Sequence, residues 1–283
     1  MHKLISVVLA VCLLVTAPAI TATKKKTVVK KTPPDAAATT TQPSNKCPSK
    51  LADCGDEGCS TDHEFDGNLN RRKNLTPDDP ATKGAAEPMT LDAMKKLPNP
   101  KHFVMGGPRD ELTAAGEGKK VQVTAFLLTV RAEEGESCNC ELDDKKQKDK
   151  DVGVNTDNHL VLVSGSTVKK FPLANGADVK QWKANLAQRE MESITVEFTP
   201  RVRLTHPNFT KAAVSPLILK APQLALPVRI TGMLMFDSEH FIRHPLHRVN
   251  NWEVHPILKF EFCPKGVKCT ADSDAGWKSL DEV

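Results

Sequence analysis

The alternation of apolar and polar positions is clearest near the end of the chain. Over residues 252–262, Trp252, Val254, Leu258, Phe260 and Phe262 fall on one side of an extended backbone. Glu253, His255, Lys259 and Glu261 fall on the other, with Ile257. A period of two predicts a strand with a core face and a polar face. Residues 121–130, 159–163, 194–198 and 228–236 are further runs rich in β-branched and aromatic residues, and they predict four more strands. Residues 178–192 place Val179, Trp182, Leu186 and Met191 on one side of a helix that would precede the third strand. Five strands and one helix within residues 118–263 predict a mainly β fold, a small five-stranded OB-like barrel. The usual OB arrangement puts its helix between strands three and four, so an open α+β sandwich is the alternative.

The flanks lack this pattern. Residues 1–22 read as a signal peptide. The basic start Met1-His2-Lys3 leads into an apolar run at 4–15, followed by the small residues Ala17-Pro18-Ala19 and Ile20-Thr21-Ala22. A spanning helix needs about 20 apolar residues, and no other run approaches that. The mature chain is therefore expected to be soluble and exported, either periplasmic or extracellular. Residues 23–45, rich in Lys, Thr, Pro and Ala, predict a disordered linker. Residues 46–80 form a small cysteine-rich segment, and 81–117 a proline-broken connector. The connector is expected to hold a short helix at 89–97 capped by Thr90 and a turn at Met105-Gly106-Gly107-Pro108. Residues 264–283 are a C-terminal tail.

Charge narrows the partners. The formal net charge is +4, but five lysines lie within residues 23–31, and residues 118–263 hold 20 Lys/Arg against 17 Asp/Glu. The basic balance belongs mostly to the linker, whereas nucleic-acid binders concentrate it on a folded face. The chain has no Tyr and only 5% aromatic residues, and single-strand binders rely on aromatic stacking. Nucleic acid is therefore a partner the sequence does not favour.

Besides Cys12 in the signal there are seven cysteines: Cys47, Cys54, Cys59, Cys138, Cys140, Cys263 and Cys269. Export permits disulfides, and an odd number leaves one thiol over. Pairing of Cys138 and Cys140 with Cys263 or Cys269 is the simplest scheme; closure of Cys263 on Cys269 is the alternative. Cys47, Cys54 and Cys59 predict a disulfide-tied loop. With His63 they could in principle hold zinc, but their spacing is not that of a common zinc motif. Asp62, Glu64, Asp66, Gly67 and Asn68 lack the order and closing Glu of a calcium loop.

Candidate chemistry lies at the strand ends, in Asp157, His159, Glu197, Asp237, His240, Arg248, Glu253 and His255. Glu253 and His255, and likewise Asp157 and His159, are two residues apart and share a strand face. Asp237 and His240 follow the fourth strand. His159, His240, His255 and Asp237 could bind a divalent metal such as zinc or manganese. Alternatively, a carboxylate could orient an imidazole as general base, with Arg248 gripping an anion. His244 and His247 add imidazoles to the loop between strands four and five. The plain counterpart is a set of exposed charge pairs that never converge. No Gly-x-Ser-x-Gly nucleophile signature is present.

Asp157-Asn158-His159, Glu197-Phe198-Thr199-Pro200, Val228-Arg229-Ile230-Thr231-Gly232, Phe236-Asp237-Ser238-Glu239-His240 and Trp252-Glu253-Val254-His255-Pro256 resemble a family of uncharacterised exported bacterial proteins. These carry an OB-like β-barrel domain and a Trp-Glu-Val/Ile-His-Pro motif. Cys54-Gly-x-x-Gly-Cys59 with Leu69-Asn70-Arg71-Arg72-Lys73-Asn74 is similar to a segment of such proteins. The resemblance spans about half the chain; it implies the boundaries above and gives weight to the Trp-Glu-Val-His-Pro stretch, but it implies no activity.

Three functions are therefore open. The first is a module that binds a glycan, a nucleic acid or a small anion. The second is a metal-dependent hydrolase of phosphodiesterase or nuclease type. The third is a structural or interaction protein of the envelope. Approach of His159, His240 and His255 to within about 5 Å, close enough for shared ligation, separates them.

Overall fold

The computed structural model describes residues 40–101, 105–143, 155–240 and 248–283. The expected signal peptide, most of the expected linker, and His244 and His247 lie outside these residues. Among the described residues, seven strands form one sheet. They are β1 (Glu87–Thr90), β2 (Lys120–Ala132), β3 (Asn158–Val163), β4 (Ile194–Phe198), β5 (Leu226–Phe236), β6 (Trp252–Phe262) and β7 (Lys278–Ser279). Five close into a barrel in the order β2-β3-β4-β6-β5, with β5 returning to β2. Within the barrel β4 and β6 run parallel, paired at Val196 and Val254, and every other pairing is antiparallel. The closed barrel replaces the open sandwich. Outside it, β1 pairs parallel with β2, and β7 pairs with the end of β6.

Closure needs β2 to serve two partners along its length. Lys120 to Leu127 pair with β5, and Phe126 to Ala132 pair with β3. A register shift between Leu127 and Thr129 marks the bend between these halves. On β5 the register against β6 shifts on both sides of Gly232. A Cβ at Gly232 would lie 2.3 Å from the carbonyl oxygen of Pro256, so glycine is required for this approach.

The barrel interior follows the alternation in the sequence. Val121, Val123, Ala125 and Leu127 are buried along β2, and Phe198 meets Phe209 and Phe260 at centroid distances of 4.7 and 5.3 Å. Trp252 is buried edge-on to Phe236, and its indole N–H donates to the Pro98 carbonyl at 2.9 Å.

The helices are α1 (Gly67–Lys73), α2 (Leu91–Met94), α3 (Asp110–Ala115), α4 (Gly165–Lys170), α5 (Val179–Met191), α6 (Pro200–Arg203) and α7 (Lys211–Lys220). Three differ from expectation. Thr90 caps α2, as its chemistry predicts, but the helix is shorter than 89–97 because Met89 belongs to β1. The helix expected at 178–192 is α5, whose apolar side packs only in part: Trp182 and Leu186 are half-buried, while Val179 and Met191 are exposed. The buried Arg189 ties it to the carbonyls of Phe171 and Gln223, outside the strands, and Glu190 pairs with Arg131 of β2. Between the third and fourth barrel strands lie the one-turn α6 and the longer α7, which is capped by Thr210 and buried through Val214 and Ile218. Pro216 within it breaks the expected helical pattern, so the sequence hides it.

Disulfides join Cys47 to Cys59, Cys54 to Cys140 and Cys263 to Cys269, and Cys138 is a buried free thiol. The expected pairing of Cys138 or Cys140 with Cys263 or Cys269 does not form. Cys263 follows the last residue of β6, whereas Cys138 and Cys140 lie near the start of β3, next to the first residues of β6. The length of β6, about 3.3 Å per residue, separates them. Zinc on Cys47, Cys54, Cys59 and His63 is likewise ruled out, because all three thiols are in disulfides.

The cysteine-rich segment lies against this same barrel end. Arg201 donates to the carbonyls of Cys54 and Gly55, and Asn74 to that of Cys138. Arg109 grips Glu117 through two nitrogens and reaches Asp66 and Ser238. Thr41, at the end of the expected linker, pairs with Phe65. No helix among the described residues is long and apolar enough to cross a membrane.

Candidate functional site

Sheet register assembles the site around one carboxylate. His159 on β3 stands directly opposite Glu197 on β4. On the other side β4 runs parallel to β6 with Val196 beside Val254, so the next residues along, Glu197 and His255, are neighbours. His159 Nε2 lies 2.7 Å from Glu197 Oε1, and His255 Nδ1 lies 3.1 Å from Glu197 Oε2. One carboxylate thus faces an imidazole with each of its oxygens.

Each imidazole has further acidic company. Glu133, just past β2, lies 3.1 Å from His159 Nδ1, and Glu136 4.0 Å from its Nε2. Asp157 lies 3.6 Å from His255 Nε2, and Glu253 3.7 Å from its Nδ1. Asp157 also accepts from Asn139 and lies 3.7 Å from the Cys138 thiol. Asp157, Glu197, Glu253 and His255 are buried, while His159 is about one-quarter exposed. Glu253 and His255 therefore face the interior, beneath the cysteine-rich segment, and exposed charge pairs do not describe them, whereas Lys259 further along the same face is exposed.

Several of these atoms are buried without an aligned hydrogen-bond partner: both ring nitrogens of His255, Glu197 Oε2, Glu253 Oε2 and Asp237 Oδ1. The 3.1 Å contact between His255 and Glu197 is close but not directed along a hydrogen bond. Unsatisfied buried polar atoms are costly, and here they cluster.

The electrostatics follow from burial working against paired charge. Burial opposes charging of both imidazoles. Glu197 outweighs it, helped by Glu133 and Glu136 at His159 and by Glu253 and Asp157 at His255, and each pKa is raised to about 10. Glu197 is held well below the usual carboxylate range by the two histidines despite its burial. Burial and the neighbouring Glu136 push Asp157 up to about 6. Burial, with Asp157 and Glu136, pushes the Cys138 thiol far up.

Four of the eight expected site residues, Asp157, His159, Glu197 and His255, meet at this centre. The other four form an adjoining chain. His240 Nδ1 lies 2.5 Å from Asp237 Oδ2, Arg248 donates to Asp237 at 2.8 Å, and Arg248 also pairs with Glu253. His240 and Asp237, expected as metal ligands, therefore serve this chain rather than the His159–His255 centre. Arg248, expected to grip an anion, is spent on two carboxylates. Its depth beside them explains both: Asp237 is held low by His240, Lys73 and Arg248 against its burial.

Three participants escaped the sequence reading. Glu133 and Glu136 were visible only as charges in a loop, and Lys73 reaches in from α1. The buried Lys73 ammonium lies 2.9 Å from Glu136 and 3.6 Å from Glu239. Cys138 was foreshadowed by the odd cysteine count.

Two sets of three side chains here each bring one ligand atom within 4.8 Å of the others: Asp157, Glu197 and His255, and Glu136, His159 and Glu197. A third such set, Glu136, Cys138 and Asp157, adjoins them. Carboxylate oxygens and imidazole nitrogens suit zinc, manganese or iron(II). Comparison of the chain with protein-family models, curated proteins and solved structures finds no match.

Proposed function

We propose that this chain is an exported binding module built on an OB-type barrel, and that its ligand is a divalent cation held at Glu197. The observation that carries this is the cluster of buried atoms without an aligned hydrogen bond on Glu197, Glu253 and His255. A cation would satisfy acceptors and imidazole nitrogens together, which no hydrogen bond among them does. The strand order 1-2-3-5-4 and the helix between the third and fourth barrel strands support the OB assignment. The polar centre lies at the end where the loops between barrel strands one and two and four and five emerge, the end OB barrels use for ligands. Three disulfides suit an oxidising compartment, in keeping with the apolar run at 4–15 and export.

Acidity sets the ligand class. Glu133, Glu136, Asp157, Glu197 and Glu253 crowd this end, and its fixed cations, Lys73 and Arg248, are already paired. A polyanion meets repulsion here, which disfavours nucleic acid and small anions as direct ligands. The test is titration of chelator-treated protein with manganese(II) or zinc(II), followed calorimetrically. Saturable binding is expected, and it should be reduced in His255→Ala with the far-ultraviolet circular dichroism retained. Absence of binding in the parent protein would refute the proposal.

A metal-dependent hydrolase is the second reading. Partial exposure of His159 beside Glu133 and Glu136 favours it, because substrate would need an open edge of the centre. This reading loses Arg248 as its phosphate grip. Hydrolysis of an activated phosphodiester or carboxylic ester only in the presence of metal would support it.

A further inference from the structure

The geometry points to a two-ion centre in which Glu197 is the bridging carboxylate. This rests on the cation-binding reading above and deepens it. Glu197 is the one side chain shared by the two sets of ligand atoms at this centre that include an imidazole. Its Oε1 is turned to His159 and its Oε2 to His255. Each half has its own additional carboxylate, Glu136 beside His159 and Asp157 beside His255. A single ion uses one set and leaves the other imidazole against a carboxylate already engaged. Two ions use both oxygens of Glu197, at the separation of roughly 3.5–4 Å typical of paired metal sites.

The outer contacts fit the same scheme. A metal-binding histidine usually gives its second ring N–H to a carboxylate. With Nε2 of His159 turned to Glu197, its Nδ1 lies 3.1 Å from Glu133. His255, fully buried with neither nitrogen in an aligned hydrogen bond, has acidic oxygens on both sides of its ring: Asp157 at Nε2, Glu197 and Glu253 at Nδ1.

Charge favours two ions over one. The centre and its adjoining chain contain Glu133, Glu136, Asp157, Glu197, Asp237, Glu239 and Glu253 against Lys73 and Arg248. With the two ligand imidazoles neutral and His240 charged beside Asp237, that leaves four negative charges, which one divalent ion reduces to two and two ions neutralise. A charge this deep is tolerated only when paired.

The experiment is equilibrium dialysis of the chelator-treated chain against manganese(II), with electron paramagnetic resonance of the loaded protein. Two equivalents per chain and an exchange-coupled spectrum are expected. His159→Ala and His255→Ala should each retain one equivalent and show an isolated-ion spectrum, and Glu197→Gln should lose the coupling. One equivalent with an isolated-ion spectrum in the parent protein overturns the two-ion inference and leaves cation binding standing. No bound manganese in the parent protein defeats both. The parent spectrum decides even if a variant fails to fold.

Discussion

At the residue scale, Glu197 is the centre on which the site depends. It is buried between two imidazoles whose pKa values it raises, and neither has an equivalent partner elsewhere. Removing one member of a buried charged set costs roughly 3–5 kcal/mol, because the remaining charges lose their compensation. Glu197→Gln is therefore expected to lower the unfolding free energy of the metal-free chain by about that amount in urea titrations. Glu133→Gln is the control. Glu133 is partly exposed at the edge of the same cluster, and pairs near solvent are worth about 0–1 kcal/mol. Equal losses from the two substitutions would contradict a centre organised by Glu197.

At the element scale, two tethers hold the chain outside the barrel. The Cys54–Cys140 disulfide spans 86 residues and fixes the cysteine-rich segment over the polar end, whereas Cys263–Cys269 spans six. Loop-closure entropy predicts about 4–5 kcal/mol for the long bridge and about 2 kcal/mol for the short one. Replacing each pair by serines should reproduce that order in denaturation midpoints. The second tether is the clamp on the tail after β6. Arg229 holds Glu261 through two contacts of 2.8 Å, contacts Asp274, and lies over the Trp277 ring. Burial opposes charging of Glu261, but Arg229 and Lys259 hold its pKa below 4.5. A depressed acid contributes stability that is present above its unfolded pKa and lost as pH falls through the folded value. Acidification through this depressed pKa, below the ordinary range of a glutamate, should therefore release the tail, seen as a change in Trp277 fluorescence in a Trp182→Phe, Trp252→Phe background. A Glu261→Gln chain should show that change already at neutral pH.

The elements also show what the sequence could reveal. Residues 194–198 and 252–262 are β4 and β6 as their alternation predicts, and the core face of β6 is the expected one. Strand period is local, and five residues are enough to show it. The site was only half legible because its assembly is not local. Glu197 meets His255 through a parallel pairing of β4 and β6, which no period within either strand specifies. Glu253 and His255 on β6 read as solvent-facing because part of their cover comes from residues 46–80, far away in sequence. Lys73 lies 63 residues before Glu136, the carboxylate it pairs with. Pro216 concealed α7, whose placement completes the barrel arrangement.

At the scale of the whole molecule, a small closed barrel keeps an acidic, imidazole-containing centre buried at one end, beneath a disulfide-fixed segment. Such a centre is unfavourable without compensating positive charge. In the metal-free chain two protonated imidazoles supply it; in the proposed bound state the cation does. Binding to the folded state alone raises stability by about 2.7 kcal/mol at a hundredfold excess over the dissociation constant. The most direct measurement is the melting temperature of the chelator-treated chain with and without saturating manganese(II), in the parent and in His255→Ala. A rise of several degrees in the parent, clearly smaller in His255→Ala, is the predicted result. No shift in the parent, or an equal shift in both, would contradict cation binding at Glu197.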